Sequence, residues 1–411
     1  MQYMSTGLSF RPTGPVFRKA RCVASIFSMA VGSARAAEPV AEILETKVIC
    51  REPGRFLGAG TEYGIDKNGH SIVVKRVLEP DRYLGWATLA QTHTGELIVA
   101  FSGDRDAHVC PWGKTQIIRS SDQGRTWSEP ATITNSPLDD RDAGIIETKS
   151  GALVVSWFTS LAFDQAKFGP AAELYARHAE KIPEETREKW LGNWVRRSED
   201  GGKTWSNPVP TVSTAPHGPI QLRDGRLLYV GNGRNTKPAS ITIEQSSDEG
   251  RSWKVISMIP FPVGQPVGVG EPHLVELTDG KVIAMFRNEP KDHTQSFLLQ
   301  SESADGGHTW SVLHSTGIWG YPPHVIQLKN GWLLVAYGYR RAPFGERACF
   351  SRDGGATWDA DSPIMLSSGP TGDLGYPSSV QLADGSILTV YYQEEKSGQP
   401  TCLMSTHWRI K

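Results

Sequence analysis

The chain has 411 residues, 38% of them hydrophobic and 21% charged, with a formal net charge of −1. That is enough apolar material for an ample core, and the absence of a basic surplus excludes the electrostatic footprint of a nucleic-acid-binding protein. The 42 glycines and 13 tryptophans suit a turn-rich all-β chain with a repeated aromatic anchor.

At the N-terminus, Arg18, Lys19 and Arg21 precede a short apolar run, Cys22 to Gly32, followed by Ala34-Arg35-Ala36. A charged region, an apolar run too short to span a bilayer and an A-x-A pattern predict an export signal over residues 1–37, with cleavage near Ala36 or Ala37. The expected location is secreted or periplasmic; the alternative is an unstructured tail of a cytoplasmic protein. Cleavage would leave Cys50, Cys110, Cys349 and Cys402. Four thiols in an exported chain permit disulfides, and Cys50 with Cys402, near the two ends, is the expected bridge. No Cys-x-x-Cys pair occurs, so no structural zinc, and no other cofactor, is expected.

From residue 40 onward two repeats alternate. The first is an alternating apolar run, a Gly turn and a second apolar run, with turn glycines at Gly95, Gly151, Gly225, Gly280, Gly331 and Gly385. This is the pattern of β-hairpins. The second is an eight-residue box, S-x-D-x-G-x-[ST]-W, at Ser120–Trp127, Ser198–Trp205, Ser246–Trp253, Ser303–Trp310 and Ser351–Trp358. In each box the Asp can close its own turn, the Gly permits positive φ and the Trp anchors the turn to the body. Repeats of about fifty residues, each with a hairpin and a second turn, indicate four-stranded propeller blades. The fold expected is an all-β six-bladed β-propeller over residues 40–411, with the segment from Glu42 to Val77 supplying the strands that the last blade lacks.

If the turn glycines and the boxes lie at the bottom, the starts of the first strands and the ends of the second strands converge at the top, where function is expected. The stretch from Gly151 to Trp205 is much longer than its counterparts, and its surplus, Phe168 to Trp194, is rich in Ala, Glu, Lys and Leu. It predicts a helical insertion in blade two, overhanging the top face as a lid or wall. That face collects Asp104, Asp106, Asp142, His108, His217, Glu271, His273, Arg287, His324, Tyr339, Arg340, Arg341 and Tyr376. So many costly polar groups on one axis point to chemistry rather than scaffolding.

The boxes resemble the Asp-box (BNR) repeats of the sialidase (neuraminidase) superfamily, and the resemblance covers essentially the whole chain after residue 40. Glu271 followed by Arg287, Arg340 or Arg341 on the next blade, and Tyr376 in GYPSSVQLADG match the family pattern. The resemblance implies an exo-acting retaining glycosidase for sialic acid or a related acidic sugar, with Tyr376 as nucleophile and Glu271 as its base. It also implies Arg287 with Arg340 or Arg341 as carboxylate clamp and an Asp, from Asp104, Asp106 or Asp142, as general acid. The family's first-blade Arg-Ile-Pro is missing from RYLGWATL, so its Arg has only Arg82 and Arg141 as candidates. His108, His217, His273, His324 and Tyr339 are further candidate substrate contacts. Two rivals stand beside this reading. A propeller-type polysaccharide lyase acting on uronates would use His108 or His217 with Tyr175, Tyr321 or Tyr339 and Arg196 or Arg234; a non-catalytic glycan-binding propeller would need none of them. The three strand-start histidines could also hold a metal, against the simpler reading that they are packed and hydrogen-bonded.

Overall fold

A computed structural model describes residues 41–57, 62–65, 67–68, 71–75, 78–165, 172–232, 241–261 and 268–411. The expected export signal over 1–37 and the candidate Arg234 lie outside the described residues. Six four-stranded antiparallel sheets are present among them, one per repeat, forming a six-bladed β-propeller. Blades one to five each run in sequence order from their first, axial strand to their outer strand, as in Val269–Glu276, Val282–Asn288, Phe297–Ser303 and His314–Trp319 of blade four.

The boxes are closed turns. In the first, Asp122 Oδ1 accepts from the Thr126 amide at 2.9 Å, Oδ2 accepts from the Thr126 hydroxyl at 2.6 Å, and Ser120 Oγ accepts from the Gly124 amide at 2.9 Å. Asp200, Asp248, Asp305 and Asp353 repeat the arrangement. Gly124 has φ +85°, a conformation in which a side chain would be strained. The tryptophans lean on the cores between blades: Trp127 on the cluster with Leu388, Trp310 on that with Leu228 and Phe286, and Trp358 on that with Ile283 and Val335.

Ring closure differs from expectation. The C-terminal tail is long enough to form a full strand, Cys402–Ile410, which takes the third place in blade six, so the N-terminal segment adds only the outermost strand, Ala41–Cys50. Further strands in this segment, Pro53–Leu57 with Leu78–Asp81 and Glu62–Ile65 with Ser71–Lys75, make two separate ribbons. The register sets Cys50 opposite Leu403 rather than Cys402, and all four described cysteines are buried free thiols, so the expected bridge is not formed.

The surplus in blade two contains helices α1 (Ala172–Glu180) and α2 (Glu184–Trp190). Tyr175 and Ala179 of α1 pack with Phe163 against Val109, Cys110 and Trp112. The insertion is therefore a wall that braces the blade-one loop carrying His108.

Candidate active site

One position recurs in all six blades, nine residues before the turn glycine: Trp86, Asp142, Pro216, Glu271, Pro322 and Tyr376. The four that are not proline all have positive φ, 55°, 52°, 45° and 55° in chain order. Each lies in a register shift between the first and second strands, at Gly85/Thr88, Arg141/Gly144, Gly270/His273 and Gly375/Ser378. A bulge with one left-handed residue re-aims a side chain out of the strand's alternation, and non-glycine residues held in this conformation concentrate at functional sites. Proline cannot take positive φ, so blades three and five present no side chain in this way.

Three of these bulges build the centre. The Tyr376 hydroxyl donates to Glu271 Oε1 at 2.6 Å, and Arg287 Nη1 donates to Glu271 Oε2 at 2.6 Å and to the Tyr376 oxygen at 3.3 Å. Burial would raise Glu271, but the Arg287 charge and the Tyr376 hydrogen bond outweigh it and hold the carboxyl below its ordinary value. Burial, with the neighbouring charges of Glu271 and Asp142, pushes the Tyr376 phenol well above its ordinary value. The resting pair is thus a neutral tyrosine bonded to a carboxylate, the protonation state of a nucleophile with its base in place. The third bulge residue, Asp142, is buried, with Oδ1 unpartnered among the described residues, and burial raises its pKa to about 7.

The arginines divide sharply. Arg287 and Arg340 lie over the Tyr321 ring at 4.5 and 5.3 Å, and Arg340 is 6.0 Å from the Tyr376 ring. Arg340 is held by the Leu374 carbonyl at 2.9 Å. Arg341 turns away, stacking on Trp319 at 3.7 Å and donating to the His293 and Thr294 carbonyls, which separates it from its neighbour. Arg82 is tied to Asp104 and Asp106; Lys114 also binds Asp104, and Trp112 Nε1 donates to Asp106 at 2.6 Å. That network engages both aspartates. Arg141 lies over Trp86 at 4.4 Å and donates no hydrogen bond among the described residues.

The three strand-start histidines are buried on the axis, with the His217 ring 6.4 Å from that of Tyr376. His273 and His324 stack at 4.1 Å with an interplanar angle of 16°, and His217 meets His324 edge-on at 4.9 Å. His273 Nδ1 accepts from the Val325 amide of the next blade at 3.1 Å, and His324 Nδ1 accepts from the Ser379 amide at 3.3 Å. In the same row, Ser378 Oγ accepts from the Leu89 amide at 3.0 Å, lacing blade six to blade one. Blades two and three touch through backbone: a Cβ on Gly144 would lie 2.4 Å from the Gly218 nitrogen. The histidines are stitching between inner strands, and their stacked rings do not converge on a point as metal ligands would. Tyr339 is covered by Arg347 at 3.3 Å and by Trp319. Of the other lyase candidates, Tyr175 is buried under Trp112, and Arg196 donates to the Ile133 carbonyl at 2.8 Å.

Several groups of this face escape sequence reasoning. Glu289, two residues past Arg287, binds its Nη2 at the edge of a cleft of about 430 Å³ that also includes Glu271 and Asn232. Tyr83 donates to Asp373 Oδ1 at 3.0 Å and contacts His108 Nδ1 at 2.9 Å. Trp86, nearly fully buried, meets His108 at 4.9 Å and Tyr376 at 6.4 Å, and so joins the two groups. Only Trp86 had a signal, its place at the repeated bulge position.

The BNR repeat-like domain model matches residues 176–389, more than half of the chain. The chain belongs to the BNR repeat-like family. This BNR propeller is 25% identical over 346 residues to a sialidase of Micromonospora viridifaciens, covering 74% of this chain and 48% of that protein. It spans about half the length of the curated sialidases it matches. Among solved structures it is similar to a protein of unknown function from Dyadobacter fermentans, at 23% identity and TM-score 0.70, over 90% of this chain and 99% of that one. It is also similar to the Hadza microbial sialidase Hz136, at 18% identity and TM-score 0.58, over 83% and 70% of the two chains. These structural likenesses carry the fold, and the chemistry rests on the site.

Proposed function

We propose that this BNR propeller is a retaining glycoside hydrolase that removes a terminal acidic sugar of the sialic acid class from a glycan. The observation that carries the reading is the Tyr376–Glu271–Arg287 group: a phenol sharing its proton with a carboxylate, beneath a guanidinium. A sugar with a carboxylate on its anomeric carbon would repel an anionic nucleophile, and a neutral tyrosine avoids that repulsion. Arg287 and Arg340, with Arg141 free to bind an anion, provide the charge-assisted clamp for that carboxylate. Glu289 is the internal carboxylate that the substrate's would displace from Arg287. Similarity to sialidases supports the same substrate class. The segment over 1–37 is read as an export signal, so the proposed site of action is outside the cytoplasm.

The contact between His108 and Tyr83 favours one second reading, a lyase in which that pair moves the proton beside a uronate carboxylate. Wild type, Tyr376→Phe and Glu271→Gln are assayed for fluorophore release from an aryl sialoside and for unsaturated-product absorbance on uronate polysaccharides. Release that falls about 100-fold or more in both variants is the expected result. Unsaturated product unaffected by either variant would replace the hydrolase with the lyase.

A further inference from the structure

The hydrolase reading leaves open which group protonates the leaving oxygen, and this inference rests on that reading. Of the three aspartates suggested by sequence, Asp104 and Asp106 are held in the Arg82 network, and Asp142 sits in the buried centre among the charges of Arg141 and Glu271. His108 is different: its side chain is about half exposed (48%) and meets Trp86 edge-on, the ring that also meets Tyr376. Its position is fixed from three sides. Arg105 donates to the His108 carbonyl at 3.0 Å, Trp112 ties the loop to Asp106, and α1 packs beneath.

The hydrogen bonds also fix its proton. Asp373, held ionised against the effect of burial by the nearby His108, the bond from Tyr83 and the Arg340 charge, can only accept. Tyr83 has one hydroxyl proton and gives it to Asp373, so its oxygen must accept from His108 Nδ1–H. Neutral His108 therefore has its lone pair on Nε2, which makes no hydrogen bond among the described residues.

We propose that His108 is the acid/base catalyst for the leaving group, with Tyr83 and Asp373 as the positioning residues that set its tautomer. In the first step the Tyr376 oxygen bonds to the anomeric carbon as its proton passes to Glu271. The bond from that carbon to the leaving oxygen breaks, and the oxygen takes the proton from Nε2 of doubly protonated His108. In the second step water attacks the anomeric carbon and gives a proton to Nε2. The bond to Tyr376 breaks, and the phenol recovers its proton from Glu271. The charged and titratable groups around the imidazole are Arg105, Arg141 and Asp373, with the Tyr83 hydroxyl on Nδ1. Desolvation by the loop packed around it and the charges of Arg141 and Arg105 outweigh Asp373 and hold His108 below its ordinary value, so turnover of a poor leaving group falls as pH rises through that lowered pKa.

The test compares sialyllactose, whose leaving group needs a proton, with methylumbelliferyl sialoside, whose leaving group does not. His108→Gln is expected to lose about 100-fold or more on sialyllactose and under about tenfold on the aryl substrate during the first turnover. Nitrogen-15 spectra of the histidines should show His108 as the Nδ1–H tautomer at neutral pH, and Tyr83→Phe should abolish that preference. Equal losses on both substrates, the same leaving-group dependence in Asp142→Asn instead, or an Nε2–H tautomer in the wild type would each overturn the proposal while Tyr376→Phe still judges the hydrolase reading. A wild type silent on both sialosides overturns that reading and this role together.

Discussion

His273 offers the most direct test of how the ring is laced. The ring is buried on the axis, and its Nδ1 accepts the Val325 amide of the next blade. Burial lowers its pKa to about 4, against about 6.5 for an unfolded histidine. A group depressed in the folded state contributes stability that is fully present above the unfolded value and disappears as pH falls toward the folded one. Between pH 7 and pH 5 the loss from His273 alone is about 2 kcal/mol. Buried Asp140, Asp142 and Glu346, all raised by burial, act with the opposite sign, so the wild-type pH profile by itself does not isolate the histidine. A difference between variants does. His273→Asn keeps an acceptor near the Nδ1 position but cannot be protonated, and losing the stacked ring costs about 2–3 kcal/mol at pH 7. At pH 5 the gap to wild type should shrink by about 2 kcal/mol, measured by urea unfolding at both pH values. A gap independent of pH would refute the claim that a neutral imidazole laces blade four to blade five.

Three further predictions follow from other parts of the molecule. Asp142 keeps its proton up to about pH 7, so the wild type loses stability as pH rises from the unfolded carboxyl range through that value. Asp142→Asn, which cannot ionise, should gain on wild type by about 3 kcal/mol more at pH 8 than at pH 5; a gain that does not grow with pH contradicts the assignment. Glu289 holds one side of Arg287 from a partly exposed position. Glu289→Gln should lower KM for an anionic sugar by about two- to fivefold without changing kcat, and an unchanged KM in steady-state kinetics would remove its role as a displaceable carboxylate. In the last box, Asp353 accepts from the Thr357 amide and hydroxyl and from Ser351 Oγ. Asp353→Ala should cost about 1–2 kcal/mol in thermal unfolding and leave activity unchanged, whereas lost activity in a folded variant would give the boxes a catalytic role.

What sequence reveals here depends on whether a feature is local or assembled. The boxes are local, since Asp122, Ser120 and Thr126 satisfy one another within a few residues, and the hairpins share that property. They make the blade count legible, and the order of the blades then brings Tyr376 to Glu271 across 105 residues. The Tyr83–Asp373 bond joins the first blade to the last and exists only after the ring closes. Closure itself depends on which strand pairs with Ala41–Cys50, a question of register that alternation leaves open. Arg340 and Arg341 are adjacent in sequence, and only the packing of Trp319 and the Leu374 carbonyl decides which of them faces Tyr376.

The bulge position shows why this scaffold can carry chemistry on some blades and not on others. An axial strand normally aligns its side chains with the sheet, alternating between the cores on its two faces. One left-handed residue breaks that alternation and aims a single side chain differently, at a backbone cost of roughly 1–3 kcal/mol that the surrounding structure must offset. Here the cost is accepted at Trp86, Asp142, Glu271 and Tyr376, where the side chains meet, and refused at Pro216 and Pro322, where proline fixes φ. Blades one, two, four and six consequently provide the polar centre and its aromatic wall. Blade three contributes His217 to the axial stack instead, and blade five contributes Arg340, a second-strand group that needs no bulge. Substituting proline at Glu271 would therefore remove more than a carboxylate: it would forbid the backbone conformation that directs blade four toward Tyr376.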